Sequence, residues 1–199
     1  MKHVDRHLAA LLLGALFLAG NSLHATPADL TPQSHEYLID QVKYRGIKFV
    51  HGKQIIIYAP PPGWSCSGDA KATALQPPNG TSSARAEISH QEGVPTPSWD
   101  TDGQDVLMKR AQALLPPLAK NVELFDMMKN PLRIDGHETI RFVFTGQLFA
   151  SNYKFFVVLL PMENEQFSFV MYAETKDYEV AAMPFMQSLY SFHWEKPTP

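Results

Sequence analysis

The sequence has little of what small catalytic or nucleic-acid-binding domains commonly use. Its 199 residues include one cysteine, Cys66, so no disulfide can form within the chain. The 17 Lys and Arg residues are outnumbered by 20 Asp and Glu, which gives a formal net charge of −3. Binding to nucleic acid depends on clustered cations that neutralise phosphates, so we expect no nucleic-acid partner.

Known catalytic motifs are also missing. The chain has no glycine-rich phosphate loop, and its carboxylates are scattered without a pair that spacing nominates as acid and base. Ser65 lies in a segment that lacks the second glycine of a nucleophile elbow. The residues after Cys66 open neither a helix nor a basic pocket that would activate its thiol. We therefore predict that Cys66 is a packing residue and that the protein carries no cofactor.

The first 25 residues have the pattern of an export signal. Two basic residues precede an apolar stretch over residues 11–20, which is too short to span a bilayer. A lipoprotein signal is excluded because Asn21 stands where a cysteine would be needed, and an N-terminal membrane anchor is the remaining alternative. We predict a signal peptide over residues 1–25, no membrane span in the mature chain, and a periplasmic or secreted location.

The rest of the chain fits one domain. Residues 26–36 are polar, contain prolines and show no periodicity, which is typical of a flexible tether. Residues 37–195 have a length that a single core serves well, so we predict one globular domain there.

Alternating and β-branched segments predict antiparallel strands. One hairpin turns at residues 51–52, and a second turns at Asp135-Gly136, a pair that adopts the positive φ values such turns require. Residues 153–160 are apolar on both alternating faces, which is typical of a central strand covered on both sides. Further strands are predicted over residues 70–75, 84–89 and 167–173.

Three residues in or beside these turns are predicted to be structural. Gly63 lets the chain turn after the proline run of residues 60–62, and Gly136 occupies the second hairpin turn. Trp64 is predicted to be largely buried at one end of the core, with residues 65–67 forming a loop.

Two helices are predicted. Thr101 and Gln104 have capping-box spacing, ahead of an apolar stripe made by Leu107, Ala111, Leu114 and Leu118. A closing helix is expected around residues 185–192, with Pro184 in its first turn.

Three segments of the chain carry a resemblance to a known family. They are Pro62-Gly63-Trp64, Ile134-Asp135-Gly136-His137 and the closing stretch FMQSLYSFHW from Phe185 to Trp194. With the order of predicted elements, residues 37–195 resemble the Mog1/PsbP-like superfamily, which includes photosystem extrinsic subunits, a partner of a small GTPase and envelope proteins of the DcrB type. The resemblance implies an α+β fold in which a mainly antiparallel sheet has helices on both faces, an α/β/α sandwich. It implies no common reaction.

Histidines offer the alternative to a pure binding role. His90 and Glu92 form an H-x-E triplet, as do His193 and Glu195, and His137 precedes a glutamate. Side chains two residues apart on a strand share a face, so such pairs could ligate a cation. These five residues are weak metal candidates, because no cysteine motif accompanies them.

Two functions therefore stay open. The first is an exported, non-catalytic accessory or binding protein of the bacterial cell envelope, whose partner is an unidentified protein or envelope component. The alternative is a metal-binding protein or hydrolase that uses His137, His90 or His193.

Overall fold

The computed structural model describes residues 27–39, 41–78 and 82–195. The predicted signal peptide lies outside the described residues. In the ranges described, no helix is both long and apolar enough to cross a membrane.

Eleven strands in the described ranges form two antiparallel sheets. The smaller sheet has the order β1-β2-β3-β11, with bounds Ala28–Ile39, Val42–His51, Gln54–Tyr58 and His193–Glu195. The larger sheet has the order β4-β5-β6-β10-β9-β8-β7. In chain order, the bounds of its strands are Ser65–Gly68, Ala72–Gln76, Arg85–Glu92, Lys120–Ile134, His137–Leu148, Ser151–Met162 and Glu165–Glu174.

Two α-helices lie within the described ranges. Helix α1 spans Thr101–Ala113, and helix α2 spans Thr175–Ser188 and continues into a short 3₁₀ turn at Leu189–Ser191. The part of the chain that the structure describes is thus mostly antiparallel sheet with two α-helices, in agreement with the α+β class expected from the sequence.

The predicted strand over residues 153–160 is confirmed as a central one. It is β9, which lies between β10 and β8, and its alternating side chains enter two different apolar clusters. Phe155 and Val157 pack with Leu107 of α1, whereas Phe156 packs with Phe185 of α2. Both faces of this strand are therefore buried, which explains its continuous apolar sequence.

The expected tether over residues 26–36 is wrong for most of its length, because β1 begins at Ala28. Backbone pairing with β2 and burial of Leu30 hold this polar segment in the sheet. The pairing shifts register between Asp29 and Gln33, the interval that contains Pro32. Such an irregularity accommodates a proline, which has no N–H for the ladder.

The helix predictions need three corrections. The N-cap of α1 is Asp100 rather than Thr101, and its side chain accepts a hydrogen bond from the Gly103 N–H. Leu118 lies beyond the end of α1 and is 60% exposed. Pro184 is inside α2 rather than in its first turn, since buried side chains on both sides of it hold the helix against the sheet.

The predicted turn glycines are confirmed. Gly63 has φ +80° and Gly136 has φ +82°, values that an L side chain adopts with strain. Trp64 is only partly buried, and its ring stacks on Phe185 with centroids 6.3 Å apart. The loop predicted after it is instead β4, an edge strand of the larger sheet.

Candidate functional site

Three titratable side chains meet where the ends of the two sheets approach each other. His51 is the last residue of β2, His90 lies on β6, and Glu165 begins β10. The Glu165 Oε2 atom lies 3.0 Å from His51 Nε2 and 2.8 Å from His90 Nε2. We call these three residues the His–Glu cluster.

Strand register places His90 and Glu165 on one face of the larger sheet. β10 pairs with β6 so that Glu165 stands opposite Glu92, two residues from His90. His51 reaches the cluster from the other sheet, and the Phe167 ring packs against both imidazoles, at centroid distances of 5.7 Å and 4.4 Å. The cluster therefore ties the smaller sheet to the larger one.

Trp194 of β11 fixes the protonation pattern of His51. Its Nε1–H donates to His51 Nδ1 at 3.1 Å. Because an indole nitrogen can only donate, Nδ1 of His51 must carry a lone pair. The ring proton of neutral His51 is then on Nε2, and it points at Glu165.

The carboxylate of Glu165 is held ionised. Burial by itself raises the pKa of Glu165, but the hydrogen bonds and charge of His51 and His90 outweigh burial and lower the pKa to about 2. The side chains of the cluster are 4–12% exposed, so this negative charge lies close beneath the surface.

Of the five predicted candidates, the structure brings only His90 into this cluster. The His137 ring packs edge-on against Trp194, and His193 Nδ1 lies 2.8 Å from the carbonyl of Ser191. Glu92 is exposed, and Oε1 of Glu195 lies 4.0 Å from Nε2 of His35. The H-x-E triplets therefore do not act as paired ligands in this structure.

Sequence reasoning missed His51 and Glu165. The sequence pattern predicts only a hairpin turn at His51 and gives no signal for Glu165. Along the chain, His51 lies 39 residues before His90, and Glu165 lies 75 residues after it. No local spacing therefore signals the cluster.

Cys66 has the properties of a packing residue. Its side chain is partly buried against the apolar core, and burial raises the pKa of its thiol to about 11. A thiol with a raised pKa is a poor nucleophile at neutral pH.

A second feature is a groove between β7 and α2. Its cavity of about 220 Å³ is lined by apolar and charged side chains, among them Phe125, Arg141, Lys154, Tyr178, Glu179 and Met183. We call it the β7–α2 groove. Phe125 and Met183 are 64% and 55% exposed at its rim.

The charges of the groove are paired with each other. Arg141 bonds Asp126, and Lys154 Nζ lies 3.3 Å from Glu179 and 4.9 Å from the centre of the Phe125 ring. The buried Nε of Arg141 has no hydrogen-bond partner among the described residues. Burial raises the pKa of Tyr178 above its ordinary range, so its hydroxyl stays protonated.

Comparison by sequence gives no match to a protein family or to a curated protein. Comparison by structure does give neighbours. A protein of unknown function from Pseudomonas aeruginosa, PA94, has 13% identity and a TM-score of 0.46 over 84% of this chain and 99% of its own.

Two further neighbours have the same TM-score of 0.46. One is PsbP (CyanoP) from Synechocystis sp. PCC 6803, with 10% identity over 81% of this chain and 92% of its own. The other is a protein from Bacteroides thetaiotaomicron, with 12% identity over 71% of this chain and 46% of its own. Likeness at this level concerns the fold and brings no activity or partner to this chain.

Proposed function

We propose that the protein is an exported, non-catalytic binding protein of the bacterial cell envelope, and that its partner places an apolar segment in the β7–α2 groove. One observation carries the proposal. Twelve large hydrophobic side chains are exposed among the described residues, and two of them, Phe125 of β7 and Met183 of α2, face each other across the groove that they line. Exposed apolar side chains around a cavity are typical of interaction sites.

The chemistry of the groove favours an apolar rather than an ionic ligand. Both cations that line it already bond carboxylates of the same chain. Methionine side chains at its rim adapt their shape at little cost, as at other surfaces that accept varied apolar partners.

The non-catalytic part of the proposal is supported by the state of the reactive groups. The thiol of Cys66 is unactivated, and the carboxylate of Glu165 already accepts two hydrogen bonds. Neither group is prepared to attack a substrate.

Site-specific photocrosslinking in intact cells tests the binding role. A benzophenone amino acid at position 125 should form a discrete adduct, whereas the same probe at Phe149, which is 76% exposed on the β8–β9 turn, should not. The adduct should vanish when Met183 is replaced by Asp. Equal crosslinking at both positions would contradict the groove as the docking site.

Export is tested separately with a reporter. Residues 1–40 fused to alkaline phosphatase, an enzyme that is active only after export, should give active enzyme. A fusion that begins at residue 26 should give none.

The finer fold is part of the same proposal. We infer an α/β/α sandwich, because Leu107 of α1 packs with Phe142, whereas Phe185 of α2 packs with Phe156 in a different cluster. Nuclear Overhauser contacts from Phe185 should reach Phe156 but not Phe142.

A further inference from the structure

We propose that the His–Glu cluster is a binding site for a divalent transition metal, with zinc as the first candidate. The ligand atoms would be Nε2 of His51, Nε2 of His90 and Oε2 of Glu165. Two imidazoles and a carboxylate are a donor set that zinc uses in proteins, with the fourth position open to water or another ligand. The inference does not depend on the proposed function.

The three ligand atoms are already close to the required spacing. All lie within 4.8 Å of one another, and two of the separations are 3.0 Å and 2.8 Å. Around a tetrahedral ion with bonds of about 2.0–2.1 Å, ligand atoms lie about 3.3 Å apart. Two of the separations therefore need to open by only a few tenths of an ångström.

The surroundings favour a cation. Glu165 brings a carboxylate to a place where its side chain is 11% exposed, and its Oε2 atom lies between two imidazole nitrogens. A divalent ion among the three atoms would be held by nitrogen and oxygen donors that zinc accepts. The ligands come from β2, β6 and β10, so paired backbone on two sheets positions them.

Trp194 opposes this binding mode and makes the inference testable. Neutral His51 can bind a metal through Nε2 only when its proton moves to Nδ1. That proton would face the Nε1–H of Trp194, which now donates to Nδ1 at 3.1 Å. Metal binding therefore requires the hydrogen bond from Trp194 to break. Trp194 favours the tautomer of His51 with its proton on Nε2, whereas the metal requires the tautomer with its proton on Nδ1.

Titration of the untagged protein with zinc chloride, against a chromophoric chelator, measures the site directly. We expect one ion per chain, and Co²⁺ as a substitute should show the visible absorption of a tetrahedral complex. His90→Gln and Glu165→Gln should weaken binding by at least about 100-fold, because each removes a ligand. The control variants His137→Gln and Glu92→Gln should bind as the unaltered protein does.

Trp194→Phe gives the sharpest result. Removal of the competing donor should tighten zinc binding about two- to tenfold. This range corresponds to the net free energy of one hydrogen bond. A substitution that weakened binding would contradict ligation through Nε2 of His51.

Nuclear magnetic resonance of the unaltered protein tests the same site without any substitution, so misfolding of a variant cannot affect the result. In ¹⁵N-labelled unaltered protein, zinc should shift the Nε2 resonances of His51 and His90 and leave those of His137 and His193 in place. Absence of stoichiometric zinc, or binding that survives Glu165→Gln, would overturn the proposal. The proposal would also be overturned if His137→Gln lost as much zinc affinity as His90→Gln, because the ion would then bind to surface histidines.

Discussion

The His–Glu cluster and the β7–α2 groove both bring charged side chains against aromatic rings, but they differ in how well those charges are partnered. In the cluster, Glu165 accepts from two imidazoles, and one of these accepts from Trp194. In the groove, Arg141 bonds Asp126, but its Nε has no hydrogen-bond partner in the described part of the chain, and the Asp126 side chain is 41% exposed.

The difference separates two roles that buried charge can have. A closed network that joins two sheets resists opening, because loss of any member leaves a buried partner unsatisfied. An open pair at the rim of a cavity contributes little to stability and leaves apolar surface accessible. We therefore expect substitutions in the cluster to reduce folding stability, and substitutions in the groove to reduce binding.

The largest effect is expected from Glu165→Ala. It leaves the Nε2–H groups of His51 and His90 without their acceptor, and breaking a buried charged pair costs about 3–5 kcal/mol of unfolding free energy. Urea unfolding in the presence of a chelator measures the change without any metal contribution. Glu163→Ala, two residues earlier and exposed, should change stability by no more than about 0.5 kcal/mol. Similar losses in the two variants would refute a special role for the cluster.

Acid should remove the same contribution. The pKa of Glu165 is about 2 in the folded protein against an ordinary value of 4.5, so the folded state binds the proton less readily than the unfolded state. The stability from this carboxylate is therefore fully present above pH 4.5 and is lost as pH falls toward 2. The difference in urea midpoint between the unaltered protein and Glu165→Ala should shrink through this window. A constant difference down to pH 2 would mean that Glu165 does not titrate as described.

Local chemistry explains why the hairpins and the central strand could be predicted. Asp135 and Gly136 take positive φ values that few other pairs adopt, so the turn is encoded in two residues. Strand β9 lies between two other strands and both of its faces are buried. Its consecutive apolar residues are what such burial requires, so the strand could be recognised from the sequence.

Long-range pairing explains what could not be predicted. The polar residues of β1 become a strand because β2 pairs with them and Leu30 finds a buried position, neither of which is visible in residues 26–36. The His–Glu cluster depends in the same way on the β6–β10 register and on the approach of two sheets. His90 was singled out for a nearby glutamate, but the glutamate it meets is Glu165 rather than Glu92.

A smaller effect is expected from Arg141→Met in the groove. The substitution keeps most of the apolar stem and removes an Nε–H that has no partner among the described residues. It also breaks the bond to Asp126, whose side chain is 41% exposed. Pairs of this kind are worth about 0–1 kcal/mol, so thermal unfolding should change little. A loss as large as that of Glu165→Ala would mean that the groove is as tightly integrated as the cluster.

The smallest effect on stability, with the largest on binding, is expected from Phe125→Ser. The ring is 64% exposed, and its described contact with a charge is the ammonium group of Lys154 at 4.9 Å, an interaction worth about 0.5–1 kcal/mol at exposed sites. The unfolding free energy should therefore fall by no more than about 1 kcal/mol.

Photocrosslinking from a benzophenone at Met183 should nevertheless disappear in Phe125→Ser, because the apolar rim that holds the partner is interrupted. Phe149→Ser, which removes an equally large exposed ring far from the groove in sequence, should leave the adduct intact. If both serine variants abolish the adduct, general surface hydrophobicity rather than the β7–α2 groove recruits the partner.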